Sequence, residues 1–254
     1  TRLAGILRTM IFPRRATGLV AAARRLVRSS EAGLILLAVG VGILAGLMAS
    51  VLGKAAWLMQ SVLYGLGTDL RLSGLVEIAP ARLLALPVGG LALGALALLA
   101  RGKKRASIDV VEANALHGGR IPPRDSAMVC GQTLVSNGFG ASVGLEAAYA
   151  QAGGGIASLI GQWINLRRGD LRVLVGAGSG AAIGAAFGAP LTGAFYAFEI
   201  VIGAYTPASI APVVAATIAA VITARTLGAT PYLIAAQSSQ HLDAVNYVIY
   251  AGLG

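Results

Sequence analysis

Cysteine, histidine and charge are what this sequence has least of. Its 254 residues hold one cysteine, Cys130, and two histidines, His117 and His241. One thiol excludes an intrachain disulfide. Two histidines outside the apolar runs leave no cluster able to hold a metal, so no metal site is expected. Charged residues make up 12% of the chain, against about 25% in soluble domains. Hydrophobic residues make up 56%. That balance excludes a soluble enzyme and predicts an all-α, polytopic membrane protein with lipid as its solvent. Gly176-Ala-Gly-Ser-Gly180 is glycine-rich but lacks the preceding strand of a dinucleotide fold, so helix packing explains it and no cofactor is expected.

What is abundant is glycine, at 35 residues, and positive charge, at a net +10. Seven arginines precede Glu31, from Arg2 to Arg28, and Arg101, Lys103, Lys104 and Arg105 form a second cluster. Both clusters flank uncharged apolar runs. They follow the positive-inside pattern of membrane proteins rather than a basic face for nucleic acid. Residues 1–29 are expected to form a cytoplasmic basic segment with an amphipathic helix on anionic headgroups. An arginine-rich, acid-free stretch also describes a transit peptide. Residues 30–254 are expected to form the membrane domain, with the N-terminus cytoplasmic in an inner or plasma membrane.

Residues 32–53 carry no charge and are long enough to span about 30 Å. A second uncharged run covers 83–100, which leaves 54–82 as an outer loop. Residues 126–145 are uncharged yet rich in Gln, Thr, Ser, Asn and Gly, so they should be buried in protein or line a cavity. Further apolar runs cover 147–166, 173–198 and 200–224. The run 173–198 is interrupted at Gly188-Ala-Pro190. A last run starts at Ala244 and reaches Gly254 too soon to span, so the chain is expected to be cut inside a helix. Gly176, Gly180, Gly184 and Gly188 form a small-residue stripe suited to close helix approach.

Only Glu146 and Glu199 place a carboxylate inside the apolar runs. Such residues face a cavity or a partner, because an isolated carboxylate in hydrocarbon is costly. A glutamate bonded to a neighbouring backbone is the structural alternative. Glu146 follows a glycine-rich stretch, Gly138-Phe-Gly-Ala-Ser-Val-Gly144, and opens an apolar helix. Unpaired N–H groups at a helix start attract anions. A carboxylate on the same turn competes for that place and leaves when protonated, a route to a pH-sensitive gate.

Three stretches resemble the CLC family of chloride channels and chloride/proton exchangers. Arg105-Ala-Ser-Ile-Asp-Val-Val-Glu112 is similar to the family's GSGIPE element. Gly144-Leu-Glu-Ala-Ala148 with Gln151-Ala-Gly-Gly-Gly-Ile156 is similar to GREGP followed by QIGxxI. Gly184-Ala-Ala-Phe-Gly-Ala-Pro-Leu-Thr-Gly193, ending in Glu199, is similar to GLAAAFNAPLAG…E. The resemblance implies broken, re-entrant helices around a midplane chloride site, as the first half of an inverted-repeat fold. It implies a homodimer and Glu146 as the gating glutamate. The anion-binding set would be Ala106, Ser107, Gly144, Leu145, Glu146 and Ala147, with Glu199 and Ile200 on the proton route.

Departures from the family pattern are specific. Ala106 stands where the family's chloride-binding serine is expected, with Ser107 one place later. Leu145 and Ala148 replace the arginine and proline of GREGP. Ile200 stands where exchangers commonly keep an inner acid, which favours a channel or weak proton coupling. The expected function is anion transport gated by Glu146. Two other readings stay open: a broken-helix transporter for another anion, and a CLC-like scaffold that no longer conducts.

Overall fold

The computed structural model describes residues 31–67, 72, 78–100, 107–228 and 244–253. The expected N-terminal amphipathic helix and Ala106 lie outside the described residues. Among the described residues every regular element is helical. In chain order the helices are α1 (Glu31–Tyr64), α2 (Ala85–Ala100), α3 (Val110–Leu116), α4 (Pro123–Gly138) and α5 (Glu146–Trp163). Then come α6 (Arg168–Phe187), α7 (Pro190–Tyr196), α8 (Pro207–Thr226) and α9 (Ala244–Leu253). A tight turn at Pro80–Leu84 leads into α2. A π-helical turn, Ala197–Ile202, extends α7. Among the described residues four segments are long and apolar enough to cross a membrane: α1, Pro80–Leu98, α6 and α8.

Small residues set the packing. Helix α6 is the centre, buried along most of its length, and α1, α5, α7 and α8 pack around it. A Cβ on Gly178 of α6 would run into the Gly153 carbonyl of α5, and one on Gly153 into the Gly178 carbonyl. Gly180 and Gly193 bring α6 and α7 together in the same reciprocal way. Lipid offers no hydrophobic drive between helices, so such close contact supplies the attraction instead. The glycine stripe predicted from sequence therefore acts in packing. Its last member, Gly188, instead ends α6 in the left-handed conformation (φ 66°).

Gly42 and Gly46 of α1 meet the carbonyls of Ala216 and Ala220 of α8. Both pairs advance together, so α1 and α8 run in the same direction. Lys54 Nζ donates to the Leu227 carbonyl just past the end of α8, at 3.1 Å.

That contact corrects one expectation. Residues 54–64 are not loop, because α1 continues to Tyr64. Lys54 keeps its charge on the helix by reaching the free carbonyl end of its neighbour, where a cation is favoured. A second correction concerns Ile200, which does not begin the next span. It belongs to the extension of α7, which Gly203 closes with φ 73°. Helix α8 starts at Pro207, after Thr206, whose N–H donates to Ser209 Oγ at 3.2 Å. Proline in the first turn fits a helix start, so the Thr-Pro pair is the boundary signal. The break expected at Gly188–Pro190 lies where it was read.

Candidate functional site

Helix α5 opens at Glu146, and no side chain caps it. Its first amide groups therefore lack intrahelical partners and carry the positive end of the helix dipole. The Glu146 carboxylate folds back over Gly144, so closely that a Cβ there would overlap it. What glycine supplies at 144 is the space the carboxylate occupies, since its φ lies outside the left-handed range. Gly144, Glu146 and Ala147 are exposed on this chain, and Leu145 is partly buried. These four expected site residues form one group at the start of α5.

The irregular stretch before it, residues 139–145, is held from two helices. Gln60 Nε2 of α1 donates to both the carbonyl and Oδ1 of Asn137, each at 3.0 Å. Asn137 Nδ2 then donates to the Val143 carbonyl at 2.7 Å. Tyr64 OH donates to the Phe139 carbonyl at 2.7 Å. Gly140 has φ 89°, and a Cβ there would strike the Tyr64 hydroxyl. Sequence reading missed Gln60, Tyr64 and Asn137 as supports. The polar content of 126–145 was the available signal for Asn137; nothing marked the other two.

Ser107 is exposed at the entry to α3. The next residue, Ile108, is buried and pinned on both sides. Its N–H donates to Asp125 Oδ2 at 3.2 Å, and its carbonyl accepts from Gln151 Nε2 of α5 at 3.3 Å. The α3 entry is thus tied to the helix that Glu146 opens. Asp109 caps α3, its Oδ1 accepting from the Glu112 N–H at 2.7 Å. A carboxylate already occupies that helix end, which weakens its pull on another anion. Sequence reading gave Asp109 no role. Its cap pattern, Asp followed three residues later by Glu, was visible. The π-helical turn that extends α7 packs against α3, and Tyr196 of α7 is partly buried.

Glu199 and Ile200 are exposed on the π-helical turn. Tyr205 OH donates to Glu199 Oε1 at 2.7 Å, and its ring stacks obliquely on Phe198, centroids 5.1 Å apart. The structure does not bond Glu199 to Glu146. The Tyr205 phenol is raised above its ordinary value, first by this hydrogen bond. Ionising it breaks the bond, so the contact is fully present at neutral pH and lost as alkali passes the raised value. In Glu199→Leu, one tyrosine should titrate closer to the ordinary value than in the parent, and Tyr205→Phe identifies it. Ultraviolet difference titration reads this. A Glu199→Leu titration curve superimposable on the parent's refutes the contact. Among the described residues no group of His, Cys, Asp and Glu is arranged to hold a metal ion.

A family model described as voltage gated chloride channel matches residues 89–254. The "Chloride/fluoride channel protein" of Pseudomonas syringae pv. tomato is 34% identical over 215 residues, 83% of this chain and 46% of that protein. A ClcB-like protein of Ralstonia nicotianae is 31% identical over 182 residues, 68% of this chain and 42% of that protein. The crystal structure of a slow cyanobacterial Cl−/H+ antiporter shares the fold, with TM-score 0.62 and 22% identity. That match covers 87% of this chain and 52% of the antiporter. The chain spans about half the length of the relatives it matches. With broken helices, an apolar all-helical body and this match, the chain belongs to the voltage-gated chloride channel (CLC) family, whose members are channels or transporters and not enzymes.

Proposed function

We propose that this chain supplies the first half of a transmembrane pathway for chloride or a similar anion, gated by Glu146. One observation carries the reading: the Glu146 carboxylate folds over Gly144 at an uncapped helix start. A helix start of this kind stabilises negative charge. An ionised Glu146 holds that place and excludes the anion; a protonated one gives it up. Gly144, Leu145, Glu146 and Ala147 would then form the main anion contact. Ser107 and Ala106 would contribute less, because Asp109 already satisfies part of the α3 start.

Passive conduction or weak proton coupling fits Ile200 in the inner position, with Glu199 beside it turned to Tyr205. The remaining ligands would come from a second half, and the complete protein would act as a homodimer. Orientation follows charge. Arg120, Arg124, Arg167, Arg168 and Arg172 lie in or beside the connections preceding α4 and α6. The positive-inside rule puts that side, and the N-terminus, in the cytoplasm.

The test is anion efflux from lipid vesicles containing the full-length protein. Chloride should leave faster at acidic pH, unslowed by an excess of an organic carboxylate, and its gradient should move few or no protons. Slowing by the carboxylate points to a transporter for organic anions. No efflux at any pH points to a non-conducting scaffold, the reading that Asp109 on the α3 start favours.

A further inference from the structure

A π-helical turn is an uncommon element that is usually retained for a local purpose. The turn at Ala197–Ile202 carries Glu199 and Ile200 on an exposed face. Its end is closed by the Gly203 and Ala204 amides, both donating to the Phe198 carbonyl, the latter at 3.1 Å. The carbonyls that follow have no partner within the helix, as at any helix end. Two side chains from two other helices take the last of them. Asn114 of α3 is fully buried, and its Nδ2 donates to the Val201 carbonyl at 2.8 Å. Arg172, in the first turns of α6, donates through Nη2 to the Ile202 carbonyl at 3.5 Å. One turn further along α6, Gly176 leaves the space that the Ile202 side chain fills.

The same two side chains each keep a second polar atom buried without a partner: Asn114 Oδ1 and Arg172 Nε. One is an acceptor and the other a donor. An unmet buried group costs about 1–3 kcal/mol. Simple packing would be served better by apolar residues at these sites. Both residues instead direct a donor to consecutive carbonyls of one turn.

We propose that Asn114 and Arg172 are positioning residues that together hold the π-helical turn in the register that aims Glu199 at Tyr205. Without them the extra residue of the turn can be absorbed into an ordinary α-helix, which rotates Glu199 by about 100° (3.6 residues per turn) away from its partner. Neither residue needs to touch an anion, so the inference stands apart from whether the protein conducts.

Deuterium exchange on the full-length protein in lipid nanodiscs tests it. Asn114→Leu and Arg172→Gln should each speed exchange of the 197–205 segment by roughly tenfold or more, the size expected for losing a hydrogen bond of about 1.5 kcal/mol or more to a charged or buried group. Helices α6 and α8 should stay as protected as in the parent. Arg172→Lys, which keeps the charge and a donor, should restore most of the protection. The alkaline titration of Tyr205 should fall toward its ordinary value in the first two variants and not in the third. Unchanged exchange of 197–205 in either folded variant overturns the proposal, as does uniform loosening of α6 and α8 with an unaltered Tyr205 titration. If Asn114→Leu fails to fold, Asn114→Ser replaces it: exchange as slow as the parent's overturns the proposal, and accelerated exchange confined to 197–205 supports it.

Discussion

Gly144→Ala is expected to raise anion efflux at neutral pH towards the rate that the parent protein reaches only in acid. The new Cβ takes the space in which the Glu146 carboxylate lies. The backbone at 144 accepts alanine, because its φ is outside the left-handed range. The flexible carboxylate therefore moves, and the helix start loses its own anion. An exposed carboxylate at a helix N-terminus gains about 0.3–1 kcal/mol, which converts to roughly two- to fivefold in occupancy. Glu146→Gln sets the upper limit, with fast efflux and no pH dependence. The sign follows from protonation: acid neutralises the carboxylate, the helix end holds it less, and efflux rises. Efflux from vesicles measured from acidic to neutral pH reads both variants. If Gly144→Ala keeps the parent's pH profile, the carboxylate does not compete for the α5 start. If Glu146→Gln keeps it too, Glu146 is not the gate.

Gly178→Val should have the largest effect on stability. At the α5–α6 crossing the obstacle to a side chain is the Gly153 carbonyl, and backbone cannot swing aside. The helices must separate along the central helix of the domain. Overpacking costs about 1–3 kcal/mol and sometimes more, and valine should lie at or above the top of that range. Gly40→Ala is the matched control. Nothing lies within 4 Å of a Cβ on Gly40, so alanine should be neutral or gain about 1 kcal/mol of helix propensity. Thermal unfolding in a mild detergent compares them. Equal midpoints for Gly178→Val and Gly40→Ala would refute the close crossing.

The course of the helices was largely legible because lipid imposes simple rules on sequence. Uncharged runs marked α2, α6 and the core of α1, and Gly188-Ala-Pro190 marked the α6–α7 break through left-handed glycine and first-turn proline. Reading failed where a charge or a polar group is satisfied at a distance. Lys54 looked like the end of a span, yet it reaches Leu227, 173 positions away. Ile200 looked like the opening of a span, because its apolar run hides a chain reversal set by Gly203 and Thr206. At the candidate site, the helix start at Glu146 was legible from glycine followed by an isolated acid. Its supports were not. Gln60 meets Asn137 and Tyr64 meets Phe139 across sequence separations of 77 and 75 residues, and no local pattern encodes such pairs. The latch of Asn114 and Arg172 was equally silent, since an asparagine on a short helix has no periodic signature.

The continuation of α1 past Lys54 has a mechanical consequence. Lys54 already stands level with the end of α8, whose 20 residues make about 30 Å, the thickness of the hydrocarbon. From Lys54 to Tyr64 the helix rises roughly 15 Å more. That stretch carries Gln60 and Tyr64. The loop before Glu146 is therefore braced by the part of α1 that projects past the end of α8. A change in the tilt of α1, as bilayer thickness imposes on a long helix, would then be expected to reach that loop through Gln60 and Tyr64.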